Sequence, residues 1–273
     1  MDLTSHLFAR LALAVVAGAV LGGCGAASSA DDRADDRADD RADDRAGRAE
    51  SAATSQTGVR VLWMGDSIAG AQAPAVRAAL EAAGVTVENA TSDGGGNLVA
   101  GDHPVTTKAA RDTWKALKEH ISSFRPTVIA YQITTYDWGT AREQLTAYRK
   151  LARTAGDAGA RLVLVSAPPF KIDEFFQPHA ASIKSAPKMA AKAADGTNAR
   201  FLDASELWGA DHAAAKAQRS KDGIHSCQQG SAAFATWFAK RLGELAGFTP
   251  AAPAEWATGA WTGDDRFTKL GCS

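Results

Sequence analysis

The chain of 273 residues carries no surplus of cations: 30 Lys and Arg stand against 31 Asp and Glu, a net charge of −1. The simplest electrostatic basis for nucleic-acid binding, release of counterions by excess positive charge, is therefore missing. Beyond residue 21, no stretch reaches the roughly 18 uninterrupted apolar residues that a membrane-spanning helix needs. Cysteine occurs only at positions 24, 227 and 272, with no Cys-x-x-Cys pair and no Cys/His clustering, so a structural zinc site has no support. The glycine-rich stretch from Ser92 to Asn97 lacks the lysine of GxxxxGK[ST] and the spacing of GxGxxG, which argues against a nucleotide site. No metal or cofactor is expected. What is present is a composition 45% hydrophobic and 22% charged, enough to bury a core and to exclude disorder, collagen-like repeats and a small disulfide-framework peptide.

The N-terminus has the order of an export signal: Arg10, an apolar run from Leu11 to Leu21, then Gly22 and Gly23 before Cys24. Leu21-Gly22-Gly23-Cys24 resembles the bacterial lipobox, which implies cleavage before Cys24 and a lipid on that cysteine; an ordinary secretory signal with a chance cysteine is the alternative. Four copies of Asp-Asp-Arg-Ala follow from Asp31 to Ala46, eight Asp against four Arg, so that segment carries −4 and the rest of the chain +3. With no large apolar residue, it reads as a spacer. The expected organisation is a signal over 1–23, a tether over 24–57, a domain of α/β size over 58–247 and a tail over 248–273 packed on it. The expected place is the outer face of a bacterial cell membrane, through a lipid anchor. If Cys24 is acylated, Cys227 and Cys272 remain as an even pair in an oxidising compartment and are expected to form a disulfide; two free buried thiols are the alternative.

From residue 58 onward, short apolar runs alternate with helical periodicity. Strands are expected at Val59–Met64, Val85–Ala90, Thr127–Ile133, Arg161–Ala167 and Arg200–Asp203. Helices are expected from Pro74 to Gly84, Thr107 to Phe124, Ala141 to Ala158, irregularly from Gln177 to Ala194, and from Gln229 to Ala246. Five strands alternating with helices predict a parallel sheet covered on both faces, with the ligand site beyond the carboxyl ends of the strands. That rim then collects Asp66 and Ser67, Asp93 to Asn97, Thr134 to Trp138, Ser166 to Phe170, and Asp222 to His225.

Those residue types suggest one chemistry. A serine hydroxyl becomes nucleophilic when a base takes its proton, and an imidazole does so best when a carboxylate fixes its tautomer. Ser67, His225 and Asp222 supply these three groups, with Gly223 allowing a bend between carboxylate and ring. Taken singly, each motif has a plainer meaning: Asp66 and Ser67 would cap a helix, and Asp222-Gly223 would form a turn with His225 in solvent. His103, His120, His179 and His212 have no partner at a useful spacing and are expected at the surface. Trp63, Trp114, Trp208 and Trp237 are expected in the core, whereas Trp138 could line a substrate cleft.

Gly65-Asp66-Ser67 early, a glycine after the second strand and Asp222-x-x-His225 late together resemble the SGNH (GDSL-type) hydrolase family, over most of residues 59–247. The resemblance implies a three-layer α/β/α sandwich with a five-stranded parallel sheet of flavodoxin-like order, and ester hydrolysis or acyl transfer through an acyl-serine. It makes Ser67 the nucleophile and an oxyanion donor through its backbone N–H, His225 the base, Asp222 its orienting carboxylate, and Gly94, or its neighbour Gly95, the second oxyanion donor. Where the family usually has Gly-x-Asn-Asp after the third strand, this chain has Tyr136 followed by Asp137, so Tyr136 or Thr135 would replace the Asn as third donor. Departures at this block also occur in SGNH domains of cell-envelope acyltransferases. The expected function is a monomeric, extracytoplasmic serine esterase acting on an ester-bearing small molecule, glycan or lipid. Transfer of the acyl group to a cell-envelope sugar hydroxyl, or a catalytically weak binding protein on the same fold, are the alternatives.

Overall fold

The computed structural model describes residues 56–272. The signal, Cys24 and the Asp-Asp-Arg-Ala repeats lie outside the described residues. Five strands, β1 (Arg60–Gly65), β2 (Thr86–Thr91), β3 (Val128–Gln132), β4 (Arg161–Val165) and β5 (Arg200–Leu202), form one sheet in the order β2-β1-β3-β4-β5. Every neighbouring pair is parallel. This is the flavodoxin-like order in which β1 and β3 adjoin at the point where the chain switches direction across the sheet. Eight α-helices accompany the strands among the described residues: α1 (Ser67–Ala82), α2 (Pro104–Phe124), α3 (Ala141–Asp157), α4 (Ala180–Ala194), α5 (Ser205–Trp208), α6 (Gln228–Ala246), α7 (Pro253–Trp256) and α8 (Asp265–Lys269). None is long and apolar enough to cross a membrane.

Alternation along the strands builds the two halves of the core. Val61, Trp63, Val128, Ala130, Val163 and Val165 point to one face, where they join Val76 and Leu80 of α1 and Phe234 and Phe238 of α6. Leu62, Met64, Ile129, Tyr131, Leu162 and Leu164 point to the other, against Leu117 of α2, Leu151 of α3 and Ala190 of α4. A strand apolar at every position is what a sheet covered on both faces requires. The expected three-layer α/β/α sandwich is the fold observed.

Two helix starts lie well away from expectation. Pro74 does not start a helix; it lies inside α1, which begins at Ser67 because the Asp66 carboxylate caps it by accepting from the Ile68 amide at 2.9 Å. Likewise α2 starts at Pro104, not Thr107, because His103 caps it through its Nδ1 and proline suits a first helical turn, where no N–H partner is needed. The tail beyond residue 247 is not featureless. It contains α7, a short 3₁₀ turn at Ala260–Gly263 and α8, and Cys272 is bonded to Cys227.

Candidate active site

Ser67 owes its position to a tight passage from β1 into α1. Gly65 has φ +153°, and a Cβ there would stand only 2.5 Å from the Cβ of Ala69. As the first residue of α1, Ser67 has a backbone N–H with no intrahelical partner. Beneath it Asp66 is buried, 1% exposed. Its Oδ1 accepts from the Ile68 amide, and its Oδ2 accepts from the amide and hydroxyl of Thr135 at 2.7 and 2.8 Å. Burial raises the Asp66 carboxyl, and these donated bonds work against that rise.

His225 arrives on a small hairpin. Arg219 and Ser226 form an antiparallel bridge, and the Ser220 amide donates to the His225 carbonyl at 2.7 Å. The Arg219 guanidinium braces the same turn, donating to the carbonyls of Ala217 and Ile224 and lying over the Trp208 ring at 5.0 Å. Burial lowers Arg219 to about 10, which leaves it charged near neutrality. Gly223 takes φ +72°, the left-handed region, and its carbonyl accepts from the Lys171 amide at 2.8 Å.

Within that hairpin the Asp222 Oδ1 accepts from the Ser220 hydroxyl at 2.6 Å and from the amides of Ile224 and His225 at 2.7 and 3.0 Å. Its Oδ2 faces His225 Nδ1 at 2.6 Å. Burial pushes the Asp222 carboxyl up, but the bonds from the ring, the hydroxyl and the two amides together outweigh it and hold the group at about 2. An ionised carboxylate can only accept, so Nδ1 carries the hydrogen and the Nε2 lone pair faces outward. That Nε2 lies 2.8 Å from Ser67 Oγ. The structure thus joins Ser67, His225 and Asp222, 158 positions apart at the ends of the hydroxyl–ring bond, in one hydrogen-bonded row.

The loop after β2 lies against this row. The Ser92 amide donates to the Gly65 carbonyl at 2.9 Å, and a Cβ on Gly96, whose φ is +76°, would run into that same carbonyl. Gly94 is exposed, with φ +74° and no atom within 4 Å of where its Cβ would be, and Gly95 is buried. The Gly94 amide donates to no backbone carbonyl among the described residues. Asp93 shares a cavity of about 340 Å³ with Ser67 and His225.

Residues of the β3 loop are occupied differently from expectation. Both donors of Thr135 go to Asp66, so Thr135 has none to offer an oxyanion. The Tyr136 ring is half-buried against Trp138, Phe175 and Phe176, with centroids 5.4, 6.2 and 6.1 Å away. Its hydroxyl makes no hydrogen bond among the described residues. Burial, then the negative charges of Asp66 and Asp173, raises its phenol. Asp137 is a buried hub: Oδ1 accepts from the amides of Leu98 and Val99, and Oδ2 from the hydroxyls of Tyr131 and Tyr148 and the Thr134 amide. Trp138 is 2% exposed beneath a stacked His179, so it does not form the cleft surface suggested for it. Three histidines expected to stand alone are engaged: His103 caps α2, His179 covers Trp138, and His120 pairs with Glu88.

Sequence reasoning missed one wall of the site. Asp264, Asp265, Arg266, Lys269 and Leu270, from α8 and its ends, line the cavity with Ser67 and His225. The available signal was the cysteine pair: Cys227 lies two residues past His225, so a bond to Cys272 draws the tail to that turn. No group of three or more His, Cys, Asp or Glu side chains suited to holding a metal ion occurs among the described residues.

A family model described as the SGNH domain (fused to AT3 domains) matches residues 31–225. No curated protein matches the chain. Among solved structures, the chain is similar to a provisionally assigned acylhydrolase from Bacteroides fragilis, with TM-score 0.53 and 12% identity over 71% of this chain and 91% of that one. It is also similar to a GDSL-like lipase from Bacteroides thetaiotaomicron, with TM-score 0.52 and 13% identity over 68% and 88%. A catalytic mutant of an acetylxylan esterase from Geobacillus stearothermophilus gives TM-score 0.49 and 16% identity over 70% and 96%. For the two Bacteroides proteins, at these identities, the likeness is one of fold.

Proposed function

The chain belongs to the SGNH domain family, and on that footing we propose that it is a serine esterase that removes ester-linked acyl groups through an acyl-serine intermediate. The observation that carries this reading is the row in which Ser67 Oγ lies 2.8 Å from His225 Nε2 and His225 Nδ1 lies 2.6 Å from Asp222. In the proposed reaction Ser67 Oγ bonds to the ester carbonyl carbon while its proton passes to His225 Nε2. The carbonyl π electrons move onto oxygen, where the amides of Ser67 and Gly94 are the candidate donors. The alcohol leaves with the proton from His225. Water then attacks the acyl-serine, gives its proton to the same nitrogen, and the acid departs as Ser67 recovers its hydrogen. Asp222 keeps the ring in the required tautomer and stabilises the transient imidazolium. The raised Tyr136 phenol retains its O–H and is the remaining candidate for a third donor.

The same acyl-serine could be resolved by a sugar hydroxyl in place of water. The family model's description, SGNH domains fused to AT3 domains, favours keeping this second reading. The reading also includes export and a lipid on Cys24, which places the enzyme at the outer face of a bacterial membrane with glycan or lipid esters as substrates. The test is hydrolysis of p-nitrophenyl acetate by the purified protein, with product analysis in the presence of a glycan. Release of acetate supports the esterase, acetylated glycan supports transfer, and neither product means a binding protein. Incorporation of labelled fatty acid into the wild type but not into Cys24→Ala tests the anchor.

A further inference from the structure

The segment after His225, outside the stretch matched by the family model, reaches back over the site. α8 has only five residues, too few to persist on its own. Its place is fixed by the buried Phe267, which packs on Trp261, and by the Cys227–Cys272 bond. From α8 the Arg266 Nη1 bonds Asp93 Oδ1 at 2.9 Å. Asp93 immediately precedes Gly94. The guanidinium lies over Gly70 of α1, three residues beyond Ser67: a Cβ at Gly70 would stand 2.8 Å from Arg266 Nη1 and 3.3 Å from Thr91 Oγ1. The missing side chain at Gly70 therefore leaves a notch that Arg266 fills.

Three consecutive glycines give the loop after β2 unusual backbone freedom. An oxyanion donor accelerates reaction only when it is already in place. We propose that Arg266 is a positioning residue: through its ion pair with Asp93 it fixes the loop after β2, and with it the Gly94 amide proposed as an oxyanion donor, and the Cys227–Cys272 disulfide holds Arg266. This inference rests on the esterase reading. Because Arg266 and Asp93 side chains are 31% and 69% exposed, the pair adds little to stability; its effect should appear in turnover.

The test compares p-nitrophenyl acetate kinetics and melting temperatures for the wild type, Arg266→Ala, Arg266→Lys, Asp93→Ala, the Asp93/Arg266 double alanine variant and Gly70→Ala. Arg266→Ala should lower kcat roughly tenfold, a part of what losing an entire oxyanion donor costs, with KM and melting temperature nearly unchanged. Arg266→Lys should recover part of the loss, and the double variant should fall no further than either single one. Gly70→Ala should lower kcat by displacing the guanidinium while holding or raising the melting temperature, since alanine favours a helix over glycine. Wild-type kcat in both Arg266→Ala and Gly70→Ala, or additive effects of Asp93→Ala and Arg266→Ala, would overturn the proposal. If the wild type itself shows no turnover, the esterase reading fails and hydrogen exchange decides this one separately. Faster exchange at amides 92–96 in Arg266→Ala supports the positioning role, and unchanged exchange refutes it.

Discussion

The carboxylate of Asp66 receives both hydrogen-bond donors of Thr135, the backbone N–H at 2.7 Å and the hydroxyl at 2.8 Å. These residues come from the ends of adjacent central strands, so the bonds tie the residue before the nucleophile to the β3 loop. Thr135→Val keeps the shape and removes one donor from a buried carboxylate. It should destabilise the domain by about 1–3 kcal/mol, seen as a lower denaturant midpoint with an unchanged slope. An unaltered midpoint would mean that the hydroxyl contributes nothing.

The two glycines flanking Gly95 should behave differently when replaced. Gly96→Ala sets a Cβ against the Gly65 carbonyl, backbone against backbone, and should prevent correct closure of the β1–β2 rim. Gly94→Ala meets no atom and should cost only the roughly 1 kcal/mol of placing alanine in the left-handed region. Soluble yield and thermal unfolding distinguish the pair; equal behaviour would contradict the close approach at Gly96.

Much of this was legible in the sequence, and the exceptions have a common cause. Strands apolar at every position identify a buried parallel sheet, and Asp-x-x-His ahead of an amphipathic helix identifies the base. Pro74 misled because proline is read as a helix start, whereas Asp66, eight residues before it, had already capped the helix. Thr135 and Asp137 were read as rim residues, yet Thr135 is taken up by Asp66, 69 positions away, and Asp137 in part by the amides of Leu98 and Val99, 39 and 38 positions away, which no local pattern reveals. The α8 wall escaped for the same reason: Arg266 has meaning only beside Asp93, 173 positions away.

Breaking the Cys227–Cys272 bond, by reduction or by Cys272→Ser, should lower the melting temperature. Closing a separation of 45 residues contributes about 2–4 kcal/mol in the chain-entropy account, or roughly 5–15 °C in a domain of this size. A melt unmoved by reductant would contradict a structural role for the bond.

The pH dependence follows from Asp222, whose folded value of about 2 lies below its ordinary 3.8. Its contribution to stability is therefore complete above about pH 4 and disappears as the pH falls toward 2. Across the working range the carboxylate stays charged, so ionisation of Asp222 should not set the acid limb of kcat/KM. Asp222→Asn should lower kcat by about two to four orders of magnitude on the neutral plateau. An acid limb centred near pH 4, abolished by Asp222→Asn with the plateau intact, would contradict this assignment.

The central claim is that Ser67 Oγ is made nucleophilic by His225, and covalent labelling tests it most directly. A phosphonofluoridate probe followed by peptide mass spectrometry should find one adduct on the protein, on Ser67, formed at least a hundredfold more slowly in His225→Ala and absent in Ser67→Ala. Label on another residue, or equal labelling with and without the imidazole, would contradict the account.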